Sequence, residues 1–202
     1  MESHWTAIVP VKSEGSAKSR LQLPRELREA FSMAFALDTI AACLQTPEVE
    51  TVIVVSRERD FADLPPEVRW VPDPGRGLNP ALTAAAAEVD GPVMAVVSDL
   101  PCITGLDLSE VISQAHDHSR AFVSDAAGIG STILCAIDTE LRPMFEGRSR
   151  AKHRKSGATE LHSPRLHRCH RDVDNLVDLA DAVRIGVGSN TEVLLPTLAE
   201  VV

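Results

Sequence analysis

The stretch Val93–Pro101, VMAVVSDLP, decides how the rest of the chain is read. Its five successive apolar residues are too many for a strand with one wet face, and they run into Ser98, Asp99 and a proline that forbids further pairing. The stretch therefore reads as a buried parallel strand that delivers one carboxylate to the carboxyl edge of a sheet. Open α/β sheets bind ligands at that edge. A charge so close to buried backbone is costly unless it is solvated, paired or metal-bound, which makes Asp99 a candidate ligand for a hard cation. Asp-Leu-Pro also suits a turn or a helix cap, and the residues alone leave both readings open.

Working outward, Thr6–Val11 forms a first strand with Pro10 near its end, Val49–Ser56 a second, and Val68–Val71 a third after the Pro65-Pro66 break. Between the first two, Pro24 to Gln45 carries an apolar stripe at helical spacing, with Pro24 suited to the first helical position. Strand, helix, strand at this spacing implies a right-handed crossover and a parallel sheet. Further on, helices are expected over Ala81–Val89, from Asp107 or Ser109 to about His118, over Leu176–Arg184 and from about Asn190, with Val183–Val187 lying between the last two. Ala121–Asp125 reads as a strand, and the Gly-rich turn in Ala127–Asp138 feeds another. The expectation is α/β architecture in one domain spanning residues 1–202, with no internal repeat.

Composition narrows the function classes. Of 202 residues, 44% are hydrophobic and 24% charged, as in ordinary globular chains, and no apolar run nears the roughly 18 residues that span a bilayer. No membrane partner is expected. The start, MESHWTAIVPVK, lacks the basic and apolar regions of a secretory signal, so the expected location is cytoplasmic. Cys43, Cys102, Cys135 and Cys169 form no CxxC pair, indicating neither a zinc site nor a disulfide framework. A net charge of -9 argues against nucleic acid as a partner. Cations nevertheless cluster at Lys12, Lys18 and Arg20, and again at Arg148, Arg150, Lys152, Arg154 and Lys155, either around an anion or on a solvated face.

Several segments carry chemistry. The loop KSEGSAKSRL, with Gly15, can present backbone N–H groups and cations to a phosphate, although it has no Walker A GK[ST]. PDPGRGLNP, with Gly77, Leu78 and Asn79, lies directly before a helix and reads either as a pocket wall or as a plain turn. Gly128, Gly130, Ser131 and Thr132 are expected to expose N–H and hydroxyl donors. Ser149 is expected to cap a short basic helix ended by Gly157, where donors and cations would meet one anion. Asp172 and Asp174, two apart in an extended segment, share a face; with Asp99 they make three carboxylates suited to Mg²⁺, while Asp174 also suits the cap of the helix that follows. Together these point to metal-assisted chemistry on a nucleotide phosphate.

The combination of VPVKSEGSAKSRL, GRGLNPAL, VVSDLP, GIGSTIL, FEGRSRAKHRKSGA and RDVDNLVDLADA resembles, over nearly the whole chain, the guanylyltransferases of coenzyme F-420 biosynthesis that act on phosphoenolpyruvate or 2-phospho-L-lactate. The resemblance implies a nucleotidyltransferase fold of the GT-A, molybdenum-cofactor guanylyltransferase type, with a twisted, mostly parallel sheet flanked by helices. It implies transfer of GMP from GTP to a phosphorylated three-carbon acid with release of pyrophosphate. Carried over by motif, Asp99, Asp172 and Asp174 would hold one or two Mg²⁺, and Asp99, Lys12 and Lys18 would have the catalytic role. Lys12, Gly15, Lys18, Arg20, Gly77, Leu78 and Asn79 would bind the nucleotide. Ser131, Thr132, Gly147 and Ser149 would bind the acid's carboxylate, with Glu146 or Gly147 supplying the backbone donor. A homodimer is implied, as is passage of the product to the transferase that joins it to the deazaflavin. A related nucleotidyltransferase acting on 3-phospho-D-glycerate or another acceptor, and a non-catalytic nucleotide-binding protein, remain as alternatives.

Overall fold

The computed structural model describes residues 4–11, 19–57 and 64–199. Its strands are β1 (Trp5–Pro10), β2 (Val49–Ser56), β3 (Val68–Pro72), β4 (Val93–Val96), β5 (Arg120–Ser124), β6 (Ser131–Ala136) and β7 (Thr159–Glu160). Among the described residues they form one seven-stranded sheet in the order β3-β2-β1-β4-β6-β5-β7. Every pairing is parallel except those of β6, which runs antiparallel to both β4 and β5. The short 125–130 connection between β5 and β6 allows only a hairpin, which is why this strand reverses. The expected α/β architecture with a mostly parallel sheet is what the chain forms.

Period-two alternation sorts each strand between two cores. Ala7, Val9, Met94 and Val96 face one side, where they pack with Ala36, Ile40 and Cys43 of helix α1 (Arg25–Leu44) and with Leu108, Val111 and Ile112 of α3 (Gly105–Ala115). Ile8, Val93 and Ala95 face the other, against Ala81, Leu82 and Ala85 of α2 (Leu78–Ala86). Burial on both faces explains the unbroken apolar run at Val93–Val97. A third cluster joins Phe31 and Phe35 of α1 to Val173 and to Leu179 and Ala182 of α5 (Leu176–Ile185), with Leu194 and Leu195 of α6 (Ser189–Leu198) against it. The cysteines are buried and free; burial pushes the thiols up, Cys43 to about 12 and Cys102 to about 11.

Two helices start earlier than the sequence suggested. α2 begins at Leu78 rather than Ala81, because Pro80 is tolerated in a first turn whose N–H groups have no helical partner. α3 begins at Gly105 because Thr104 and Asp107 form a capping box, each side chain receiving the other's backbone N–H. Asp38 of α1 is buried and caps α6 from outside: its carboxylate accepts the N–H groups of Asn190 and Thr191, each at 3.0 Å, and the Asn190 amide at 2.9 Å. No helix among the described residues is long and apolar enough to cross a membrane.

Candidate functional site

Because β6 runs backwards, its first residue lies at the same sheet edge as the ends of β1, β4 and β5. A cavity of about 750 Å³ opens there, within the range of small-molecule sites. Asp99 stands just past β4. Val173 N–H donates to the Asp99 carbonyl at 3.0 Å, which lays the Arg-Asp-Val-Asp segment against the strand end. Val173 is buried, so Asp172 and Asp174 on either side of it turn outward, and both line the cavity with Asp99. The helix-cap alternative for Asp174 is replaced by its neighbour: Asn175 caps α5, accepting the N–H groups of Val177 and Asp178. The Asp174 carboxylate instead lies 3.7 Å from the Arg20 guanidinium.

Arg20, Leu78, Ser131, Gly147 and Ser149 also line the cavity. Lys12, Gly15 and Lys18 lie outside the described residues. Three other expectations are corrected. Thr132 turns away from the cavity, buried with its hydroxyl on the Cys169 carbonyl at 2.6 Å. The cause is a register slip: Val123 pairs with Ile133 and Ser124 with Ser131, so Thr132 is the extra residue of a β-bulge that re-aims its neighbours. Asn79 is a clamp rather than part of the cavity wall. Its amide donates to the Phe145 carbonyl at 3.0 Å and accepts the Phe145 N–H at 2.7 Å, pinning the 145–149 loop to α2. Gly77 is exposed and supplies the turn before α2, at φ 100°.

The Gly-rich turn does not expose its backbone donors either. The Asp125 carboxylate takes the N–H of Ile129 at 2.8 Å and of Gly130 at 2.7 Å, so the turn is braced from within. Nor do the cations of the basic helix α4 (Ser149–Lys155) converge on the cavity: Arg150 and Arg154 both turn to Glu160, Arg154 from 3.7 Å. Arg150 binds the buried Glu160 carboxylate at 2.8 and 3.0 Å and the Gly128 carbonyl at 3.0 Å. Lys152 reaches the Glu146 carbonyl at 2.9 Å. Of that run, Arg148 faces the cavity, at the start of α4. Glu146 and Gly147 are both left-handed, at φ 79° and 63°, and fold the loop back over the cavity that both line.

Sequence reasoning placed Arg148 in a candidate anion pocket but missed Asp125, Arg171 and His153. The last was legible, since Ser149 and His153 are four apart on a helix and so share a face. His153 is buried; Met144 N–H donates to its Nε2 at 2.9 Å, its Nδ1 lies 2.9 Å from Ser131 Oγ, and the Ser131 hydroxyl donates to Ser149 Oγ at 2.9 Å. Burial, with the positive charges of Arg120 and Lys152, pushes this imidazole down to about 4, so the ring is neutral at pH 7.

Six carboxylates and three guanidiniums line the cavity, two of the carboxylates (Asp125 and Asp178) being engaged with backbone N–H groups. Such a surface repels a polyphosphate unless a cation is shared between them. Among the described residues no three His, Cys, Asp or Glu side chains converge closely enough to hold a metal ion by themselves. Mg²⁺ characteristically takes one or two carboxylates and completes its shell with water and substrate phosphates, and the donors Asp99, Asp172 and Asp174 fit that mode rather than a closed protein cage.

The mostly parallel sheet, with aspartates, arginines and a pair of hydroxyls around the cavity at its carboxyl edge, shares its fold with nucleotidyltransferases. Solved structures agree on the fold: a nucleotidyl transferase from Methanothermobacter thermautotroptrophicus superposes with a TM-score of 0.61 at 18% identity, over 90% of this chain and 97% of that one. A 4-diphosphocytidyl-2C-methyl-D-erythritolsynthase from Anaerococcus prevotii gives 0.58 at 10% identity, over 90% and 95%. Residues 5–193 match the family described as guanylyl transferase CofC like, and the chain belongs to that family. It is 43% identical to the phosphoenolpyruvate guanylyltransferase of Streptomyces coelicolor over 93% of both chains, and 40% identical to that of Salinispora arenicola over 98% of this chain and 97% of the relative.

Proposed function

We propose that the protein transfers GMP from GTP to phosphoenolpyruvate in coenzyme F-420 biosynthesis. One observation carries the reading: the hydrogen bond from Val173 to Asp99 gathers three carboxylates on one wall of a cavity that also holds the Ser131–Ser149 hydroxyl pair. The names of relatives at 40–43% identity support the choice of nucleotide and acid.

In this reading an oxygen of the acid's phosphate bonds to the α-phosphorus of GTP. The bond from that phosphorus to the bridging oxygen breaks, and pyrophosphate leaves with the electron pair. Ser149 and Ser131 hold the acid's carboxylate beside Gly147, fixing the direction from which the phosphate approaches. Arg20 faces the GTP phosphates and Leu78 borders the nucleoside; the resemblance assigns Lys12, Gly15 and Lys18 to the same phosphates, though they lie outside the described residues. Asp99, Asp172 and Asp174 are the residues that would hold Mg²⁺, which would supply positive charge against the phosphates. Asp99 sits between a buried strand and the fully buried Leu100. Consumption of GTP accords with a cytoplasmic location. A homodimer and onward delivery of the product to the deazaflavin-linking transferase complete the reading.

The test is pyrophosphate release from the purified protein with GTP and Mg²⁺, supplying phosphoenolpyruvate, 2-phospho-L-lactate or 3-phospho-D-glycerate singly, with ATP in parallel. Release is expected with GTP and phosphoenolpyruvate, to stop on chelation of Mg²⁺, and to fall by roughly 10²-fold or more in Asp99→Asn, as for loss of a group that stabilises transition-state charge. Release with another acid alone would reassign the acceptor. Silence with GTP and all three acids would sink the guanylyl transfer.

A further inference from the structure

His153 has no part in the transfer as described, yet it is wholly buried directly behind the two serines. Its ring lies 5.5 Å from that of Phe122 and 5.1 Å from that of Phe145, the latter edge-on at 79°, so it is held from two sides. The Met144 N–H points at Nε2 from 2.9 Å. An amide N–H can only donate, so Nε2 must present its lone pair, and the ring proton of the neutral imidazole must sit on Nδ1. Nδ1–H then donates to Ser131 Oγ at 2.9 Å, and the Ser131 hydroxyl passes its own hydrogen to Ser149 Oγ at 2.9 Å. Every donor in this chain is now assigned except the hydroxyl hydrogen of Ser149. Ser149 lines the cavity, and among the described residues no hydrogen bond takes that hydrogen.

The geometry points to His153 as a positioning residue: through Ser131 it fixes the direction of a hydroxyl relay, so that Ser149 presents a donor to the carboxylate of the acceptor acid. The inference rests on placing that carboxylate at Ser131 and Ser149. The backbone of Met144 sets the tautomer, the tautomer sets Ser131, and Ser131 leaves Ser149 one way to point. A relay of fixed polarity discriminates: a ligand oxygen that accepts is held, while an N–H or O–H at the same place meets a second hydrogen. It also removes the need to reorient the hydroxyl when substrate binds, which is the preorganisation that makes a polar site effective.

Two substitutions separate the relay from simple packing. In His153→Gln the terminal oxygen stands in for Nε2 and keeps the Met144 contact, while Ser131 loses its donor. In His153→Asn the amide nitrogen stands in for Nδ1 and keeps the donor. The Gln variant is expected to raise KM for phosphoenolpyruvate about 10-fold with KM for GTP unchanged, the scale of one hydrogen bond to a charged group, and the Asn variant to recover most of it. Equal rises in both KM values, or Asn faring worse than Gln, would make His153 a packing residue and overturn the relay. Nitrogen-15 NMR of the wild-type ring, independent of turnover and of any variant's folding, should show Nδ1 protonated and Nε2 bare at pH 7; the opposite tautomer overturns it too. Ser149→Ala distinguishes the underlying reading. An unchanged KM for phosphoenolpyruvate there removes the carboxylate placement and the relay with it, whereas a raised KM there alongside an unaffected His153→Gln removes the relay alone.

Discussion

Acid should destabilise this fold through one ring. His153 titrates near 4 when folded, against about 6.5 in the unfolded chain. Between those values the unfolded chain binds a proton that the folded chain refuses, so stability rises with pH across this window. The contribution is complete above about pH 6.5 and is lost as pH falls towards 4. From pH 7 to pH 5 the loss integrates to about 2 kcal/mol, of the order of a fifth of a typical domain's stability. Burial is the main reason the ring stays neutral, with the positive charges of Arg120 and Lys152 adding to it. His153→Asn removes the titrating group and keeps a donor toward Ser131. Urea unfolding of both proteins at pH 7 and pH 5 should show wild type losing about 2 kcal/mol more than the variant over that interval, with equal m-values. Parallel losses would refute the reasoning, because they would mean that the folded ring accepts a proton as readily as the unfolded one. The other histidines cancel in the comparison.

Two further outcomes follow from particular contacts. Thr132→Val deletes the buried hydroxyl on the Cys169 carbonyl and should cost about 1–2 kcal/mol in urea unfolding while leaving KM for phosphoenolpyruvate unchanged; a marked rise in that KM would return Thr132 to the substrate. At Gly188 the backbone would suit alanine, at φ -71°, but a Cβ would lie 2.4 Å from the Asp38 carboxylate carbon and displace the cap of α6. Gly188→Ala should cost about 2 kcal/mol and lower the thermal midpoint by roughly 4–8 °C, and an unchanged midpoint would show that α6 does not depend on Asp38.

The sheet was legible because its strands are continuous apolar runs, and burial on both faces is what such runs report. Asp99, Asp172 and Asp174 were legible for a related reason: a strand end and an extended Asp-x-Asp have fixed side-chain directions, and one hydrogen bond sufficed to bring them together. Thr132 was not, because strand alternation holds only until a bulge, and the one-residue slip opposite Val123 leaves no mark in composition. The basic run misled for another reason. Whether Arg150 faces an anion or the Glu160 carboxylate depends on a two-residue edge strand with almost no sequence signal of its own. Asp125 looked like the end of a strand, and its role as an internal brace follows only from the tightness of the turn it closes.

The four buried thiols make the molecule its own reporter of partial opening. Cys43 belongs to α1 and Cys135 to β6, whereas Cys102 and Cys169 lie beside the segment that carries Asp172 and Asp174, with the Cys102 sulfhydryl 3.9 Å from the Arg168 carbonyl. A thiol reagent can reach each sulfur only when the layer over it lifts, so the ratio of modification rates measures how independently those layers move. Should the pair near the aspartates react first, the wall that gathers the carboxylates is the part of the molecule that breathes, and a ligand seated against it would slow those two cysteines while leaving Cys43 and Cys135 on the timescale of global unfolding.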